Sequence, residues 1–182
     1  FWEHPIKIFA IHDGGLAIYG GLIGALLGGC IALKIKKLPI LPVLDICSIG
    51  FLIGQGIGRW GNFTNQEAFG TQTNSLFAMM SEATFGKTVH PCFLYESFWC
   101  LLGVLVLHIF YSKFQHKRGL TFCMYFIWYS TERFFLETIR TDSLYLPHTS
   151  IKISQLVAIA TVALAIGMII YLHNVSKKKQ NT

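Results

Sequence analysis

Residues 16–33 read LAIYGGLIGALLGGCIAL, a stretch without Asp, Glu, Lys, Arg or His. Roughly 18 apolar residues in a row suffice to cross the hydrocarbon of a bilayer as a helix. In that medium a helix satisfies its own backbone hydrogen bonds, which an irregular segment cannot do. The stretch therefore predicts a transmembrane helix. Four further spans are expected: residues 42–59 (PVLDICSIGFLIGQGIGR), 93–111 (FLYESFWCLLGVLVLHIFY), 120–139 (LTFCMYFIWYSTERFFLETI) and 153–173. The second and fourth carry ionisable residues and rank lower on hydropathy alone. The expected fold class is all-α, a polytopic integral membrane protein with five transmembrane helices. One transmembrane domain is expected over 1–175, with an extracytoplasmic loop at about 60–92 and a basic cytoplasmic tail over 176–182.

The composition agrees. Of 182 residues, 53% are hydrophobic and 13% charged, with a mean hydropathy of +0.51. A soluble domain carries about 25% charge. Disorder is excluded by 15 Phe, 7 Tyr and 4 Trp. The net charge of +6 comes from clusters after alternate spans: Lys34, Lys36 and Lys37; Lys113, Lys117 and Arg118; Lys177, Lys178 and Lys179. The positive-inside bias explains this pattern, so the chain is expected to start outside and end in the cytoplasm. No nucleic-acid partner is expected. The tail KKKQNT is expected to be disordered, with its lysines near anionic membrane lipids. The loop segment TQTNSLFAMMSEATF is a candidate short interfacial helix.

The five cysteines (Cys30, Cys47, Cys92, Cys100, Cys123) lie in or beside apolar runs without a CxxC pair. They form neither a disulfide framework nor a zinc site. The start, FWEHPIKIFAIH, is not a signal peptide, and the chain reads as the later part of a longer protein. Gly20, Gly24 and Gly28, and likewise Gly50, Gly54 and Gly58, recur every fourth residue, which predicts close helix packing.

Charged residues at membrane depth are functional candidates. In Gly58–Gly70 (GRWGNFTNQEAFG), Arg59, Asn62, Asn65, Gln66 and Glu67 crowd a membrane edge. Arg offers a planar fork suited to phosphate, and Asn62 adds amide donors. A snorkelling interfacial Arg with a polar loop is the alternative. Arg133, Glu137 and Arg140 are spaced to share a helix face, leaving one cation in excess to hold an anion. An ion-pair network that fixes packing is the alternative. In His90–Glu96 (HPCFLYE), Pro91 suits a helix start. Tyr95 also fits an interfacial aromatic. With Asp13-Gly14-Gly15 and Tyr19, these clusters predict one polar cavity open to the outer leaflet. No HExxH, GxSxG or DxxxD array occurs, and the seven histidines form no ligand pair. Neither a metal nor a cofactor is expected.

Together these residues resemble bacterial prolipoprotein diacylglyceryl transferases. The family signature looks like Gly58–Gly70. The segments Asp13–Gly21, His90–Glu96 and Arg133–Asp142 follow the family pattern in order. The resemblance covers all but the tail. It implies seven spans, two of them before Phe1, and hence an inactive or weakly active piece without them. It also implies transfer of a diacylglyceryl group from phosphatidylglycerol to the lipobox cysteine thiol of a prolipoprotein signal peptide. A thioether forms and glycerol phosphate leaves, in the bacterial cytoplasmic (inner) membrane, with the site toward the extracytoplasmic side. The implied catalytic residues are Arg59, Asn62, Glu67, Gly70, Arg133, Glu137 and Tyr19. The implied substrate-binding residues are Arg59, Arg133, Arg140, Asn65, Gly14, Gly15, His90, Tyr95 and Glu96. Tyr19 stands where many members have His, and its intrinsic pKa of about 10 suits orientation or relay better than base work. A transporter or lipid-binding membrane protein is the alternative reading. A transporter calls for polar groups across the full bilayer depth, and here they gather at the outer ends, with only Asp45 and His108 near the cytoplasmic half.

Overall fold

Five helices occupy the five apolar stretches: α1 Ile18–Ile35, α2 Ile40–Thr64, α3 Cys92–Phe114, α4 Leu120–Leu136 and α5 Ile153–Gln180. They belong to a computed structural model that describes residues 18–146 and 149–180, with side chains from residue 24 to 177 within that range. Among the described residues no strand forms, only isolated bridges. The chain divides into two compact units at Ile40/Leu41. Of the described residues, α1 belongs to the first unit, and α2 onward, from Leu41, to the second.

Among the described residues three helices are long and apolar enough to cross a membrane: α2, α3 and Ile153–Lys177 of α5. The chain is a helical membrane protein. The span expected over 120–139 folds as 17 helical residues, because the helix ends at Leu136 and tightened turns follow its C-cap Glu137. Ile57, Phe98, Leu105 and Leu164 are more than 60% exposed. Such faces are aggregation-prone in water and ordinary against lipid.

Within the second unit, Leu52 of α2, Cys100 and Leu107 of α3 and Tyr125 of α4 form a buried cluster. Close approach depends on two glycines. A Cβ at Gly56 would lie 3.3 Å from Cys100 Cβ, and one at Gly103 would lie 2.3 Å from Trp128 Nε1. The glycines read as a packing face behave otherwise. Within the second unit, nothing lies within 4 Å of a Cβ added at Gly50, Gly54 or Gly58. Fourfold spacing marks a smooth face, but the neighbour has come to a different one. Trp99 and Trp128 stack at 4.6 Å, each indole N–H donating to the other's carbonyl at 3.2 and 3.1 Å. A half-buried indole N–H needs such a partner.

Asp45 is 2% exposed and lies in the second turn of α2. Its carboxylate accepts from Gly119 N at 2.6 Å and Phe122 N at 2.8 Å, the first donors of α4. Helix N-terminal donors need acceptors, and here a neighbouring helix supplies them. Gly119, at φ +87°, makes the turn that presents them.

Three boundaries differ from expectation. α2 runs to Thr64, so Arg59 and Asn62 are helical and the loop begins at Asn65. Thr64 Oγ1 accompanies that last turn by donating to Gly61 O at 2.8 Å. The segment expected to hold an interfacial helix has one 3-10 turn, Glu82–Thr84. Elsewhere it is tied by bridges of Val89 to Gln72 and Met79. Finally, α5 continues through the lysines to Gln180 instead of fraying at residue 176. Lysines are good helix formers, and cations suit a helix C-terminus.

Candidate functional site

α2, α3 and α4 run in alternating directions, so the end of α2, the start of α3 and the end of α4 meet. Each brings a charge to that end. Glu96 lies about one turn into α3, with its side chain 3% exposed. Its Oε2 is ion-paired with Arg59 Nε. Its Oε1 lies 3.5 Å from Arg133 Nη1 and 3.4 Å from Arg140 Nη1. One buried carboxylate thus gathers three guanidiniums from three parts of the sequence.

Each arginine has a second anchor. Arg59 Nη2 donates to Tyr129 Oη at 3.3 Å. Arg133 Nη2 pairs with Glu137 Oε2 at 2.8 Å and reaches Ser154 Oγ of α5 at 3.4 Å. Arg140 grips Asp142 with two parallel bonds, Nε–Oδ1 at 2.8 Å and Nη2–Oδ2 at 2.5 Å. Those bonds from Arg140 hold the Asp142 carboxyl below the usual range. Glu137 is fully buried and leaves Oε1 without a hydrogen-bond partner. Lys152 Nζ donates to the Glu137 carbonyl.

Two expectations change here. Arg133 and Glu137 pair across one helical turn as their spacing predicts, but Arg140 lies beyond the helix. α4 stops at Leu136, and tightened turns follow, with Thr138 N donating to Phe135 O and Ile139 N to Leu136 O. Arg140 reaches Glu96 because its backbone bridges Gly70. Nor is a cation left over in the formal count. The three guanidiniums face Glu96, Glu137 and Asp142, so at rest the cluster is the ion-pair network held open in the sequence reading. Its loosest member is Asp142, whose side chain is 49% exposed. The three arginine side chains remain 21%, 22% and 11% exposed.

Gly70 sits where three segments cross. Its N–H donates to His90 O at 2.9 Å, and Thr71 N donates to Ile139 O at 2.8 Å. A Cβ at Gly70 would lie 2.7 Å from His90 Cβ and 3.0 Å from Cys92 Sγ. Only glycine allows that crossing without a shift. His90 Nδ1 and Tyr95 Oη lie 3.1 Å apart, pairing two expected binding residues with each other. Asn65 Nδ2 donates to Glu67 Oε1 at 3.1 Å, both exposed just beyond α2, and neither bonds to the arginine cluster. Asn62 is half-buried on the last turn of α2. Gly14 and Gly15 lie outside the described residues, as does the side chain of Tyr19. Among the described residues no group of His, Cys, Asp and Glu has the geometry to hold a metal.

The sequence reading missed Tyr129. Its signal is a ladder at helical spacing, Gln55 and Arg59 on α2 facing Tyr125, Tyr129 and Arg133 on α4. Gln55 Nε2 donates to Tyr125 Oη at 2.9 Å, and Arg59 donates to Tyr129. Residues four apart line one helix face, so the ladder leads from the apolar core to the cluster. Two hollows adjoin it. A cavity of about 190 Å³ is lined by Tyr95, Trp99, Glu132, Phe135 and Leu136, into which the buried Glu132 brings a carboxylate with an unpartnered oxygen. A groove of about 370 Å³ with an almost wholly apolar lining runs between α4 and α5, past Ser130, Phe134, Ala158 and Val162.

The fold and site define a class: a helical membrane protein with a buried arginine–carboxylate cluster beside an apolar groove. The prolipoprotein diacylglyceryl transferase family model matches residues 1–171, and the chain belongs to that family. It is 44% identical to the phosphatidylglycerol–prolipoprotein diacylglyceryl transferase of Lysinibacillus sphaericus, over 93% of this chain and 65% of the relative. The Bacillus licheniformis enzyme of that name is 43% identical with the same coverage. That of Staphylococcus aureus is 41% identical over 93% of this chain and 63% of the relative. The chain thus spans about 65% of the length of the curated relatives it matches.

Proposed function

We propose that the chain carries the site that transfers the diacylglyceryl group of phosphatidylglycerol to the lipobox cysteine thiol of prolipoproteins. In this reading all five helices cross the bacterial cytoplasmic (inner) membrane, and the site faces the extracytoplasmic side. The observation that carries it is the convergence of Arg59, Arg133 and Arg140 on buried Glu96 at one end of the helices. The names of the relatives agree with this chemistry. Asp45, a buried polar group near the start of α2 at the far end from the arginines, is occupied as a helix cap.

The lipid phosphate enters by displacing exposed Asp142 from Arg140, whose fork then takes the phosphate oxygens. Glu96 and Glu137 act as positioning residues that hold the arginines. One acyl chain lies in the apolar groove between α4 and α5, at whose head Arg133 meets Ser154. A free thiol has a pKa of about 8.5 and ionises more readily beside cations. The sulfur forms a bond to the glyceryl carbon that bears the phosphate. The carbon–oxygen bond breaks, and its electron pair leaves with glycerol phosphate. The thiol proton is balanced on that product. The guanidiniums stabilise the charge gathering on the leaving phosphate. Asn62 adds donors near Arg59, and Gly70 keeps the crossing tight. Asn65, Glu67, His90 and Tyr95 complete the lining. The reaction calls for no metal or cofactor.

The test is mass spectrometry of a lipobox peptide incubated with phosphatidylglycerol vesicles. The protein is this chain, and in parallel this chain completed with the remaining part of the Bacillus licheniformis relative. A gain of one diacylglyceryl group on the peptide cysteine, with glycerol phosphate released and both lost in Arg59→Ala, is expected. No gain with either protein, or full transfer by Arg59→Ala, overturns the reading.

A further inference from the structure

The loop between α2 and α3 carries apolar side chains that nothing among the described residues covers. Leu76 is 92% exposed, Phe77 63%, Met80 64% and Phe85 91%. Single exposed apolar residues are ordinary, but four large ones within ten residues of a loop are not. Phe85 also holds a left-handed backbone at φ +52° while its ring touches almost nothing.

The loop does not stand off into water. Ala83 N donates to Gln66 Oε1 at 3.2 Å, and Gln66 is two residues past the end of α2. Met79 and Val89 exchange both backbone bonds, at 3.0 and 2.9 Å, and Val89 is three residues before α3. Consecutive Cα atoms are 3.8 Å apart, so Phe85 lies within about 15 Å of Gln66. The head-group layer adds several ångströms on each side of the hydrocarbon, together about 10–15 Å. Large side chains tied this closely to span ends reach it. At the same end Trp60 and Phe63 are 50% and 46% exposed on the last turns of α2. Aromatic side chains at that depth form the usual interfacial belt.

We infer that Leu76, Phe77, Met80 and Phe85 seat the loop in the outer leaflet at head-group depth, making it a lipid-contacting rim that continues the belt of Trp60 and Phe63. The polar side of the loop, with Asn74, Glu82 and Lys87, stays in water. The inference rests on the membrane orientation proposed above, and adds that the mouth of the arginine site is held at the depth of the lipid phosphates.

Spin labels measure depth directly. Leu76→Cys, Phe85→Cys and Glu82→Cys are labelled in protein carrying Cys30→Ala and Cys47→Ala and reconstituted into phosphatidylethanolamine–phosphatidylglycerol vesicles. Phe98→Cys on the exposed face of α3 serves as the lipid reference. Labels at 76 and 85 are expected to collide several-fold more with oxygen, which concentrates in the bilayer, than with a water-soluble nickel chelate. The label at 82 should show the reverse. Nickel accessibility at 76 and 85 matching that at 82 overturns the inference. So does protection from both reagents, which would mean that protein covers the loop. Depth is read without activity, so a lipid-seated loop on a protein that transfers nothing sinks the transferase reading alone.

Discussion

Replacing Glu96 by Gln tests the centre of the site. The substitution keeps the shape and removes one charge from a position where three guanidiniums converge, with the looser contacts at 3.4 and 3.5 Å. With an effective dielectric constant near 20, one such contact has a gross attraction of about 4–5 kcal/mol. Most of it is offset by desolvation and by repulsion among the arginines. Measured losses on removing one partner of a buried pair are about 3–5 kcal/mol. The amide also turns an N–H group toward cations that need an acceptor, so Glu96→Gln is expected in that range. For a chain of this size each kcal/mol moves Tm by roughly 2–4 °C, giving a fall of about 6–20 °C. Thermal unfolding in detergent measures it, with Glu67→Gln, an exposed carboxylate outside the cluster, as the control expected within about 0.5 kcal/mol. Equal midpoints for the two variants would refute the hub. Adding Arg140→Gln to Glu96→Gln should restore part of the loss, because it removes one of the stranded cations.

Four other expectations follow from separate features. Asp45→Asn weakens the carboxylate cap on Gly119 N and Phe122 N, and should cost about 1–2 kcal/mol in the same melt. The KM for lipid should not change, since Asp45 lies near the start of α2 and the arginines gather at its far end. Gly103→Ala puts a Cβ at 2.3 Å from Trp128 Nε1 and should cost about 1–3 kcal/mol by overpacking. The indole fluorescence should shift, as the Trp99–Trp128 stack is forced apart. Gly70→Ala, 2.7 Å from His90 Cβ, should lower kcat more than it lowers Tm, because the crossing it disturbs positions Arg140. For pH, the Asp142 carboxyl is held below its ordinary value by Arg140. A lowered folded pKa stabilises above the unfolded pKa, near 4, and that stability is lost as pH falls through the folded value. Acidification below about pH 4 should therefore open the Arg140 clamp, and Asp142→Asn should remove that part of the acid dependence.

The candidate site was partly legible because its charges are chemically out of place. Arg59, Glu96, Arg133 and Glu137 stand in apolar stretches and Arg140 just beyond one, and each is in the cluster. Asn65 and Glu67 belong to the same recognisable signature yet bond to each other at the surface. A signature names neighbours in sequence, not neighbours in space. Glu96 was read as one binding residue among several, since nothing in HPCFLYE reveals that three arginines arrive from elsewhere. Arg140 was given a helix face by its spacing, but α4 ends first and a backbone bridge to Gly70 does the positioning. Tyr129 was overlooked because an aromatic in an apolar helix is ordinary until its partner is known.

Membrane residence and five helical stretches follow from the sequence by itself. Burying a backbone in hydrocarbon leaves a long apolar segment little choice but a helix, and this needs no partner. The family follows from residue identities alone. Helix ends, packing faces and charge balance were decided only by the tertiary structure. α2 passes its expected end, the close glycines are Gly56 and Gly103, and Asp45 is a cap for a helix 74 residues away. A hydrogen bond, a packing contact or an ion pair needs two partners, and at these sites the second comes from a distant part of the chain.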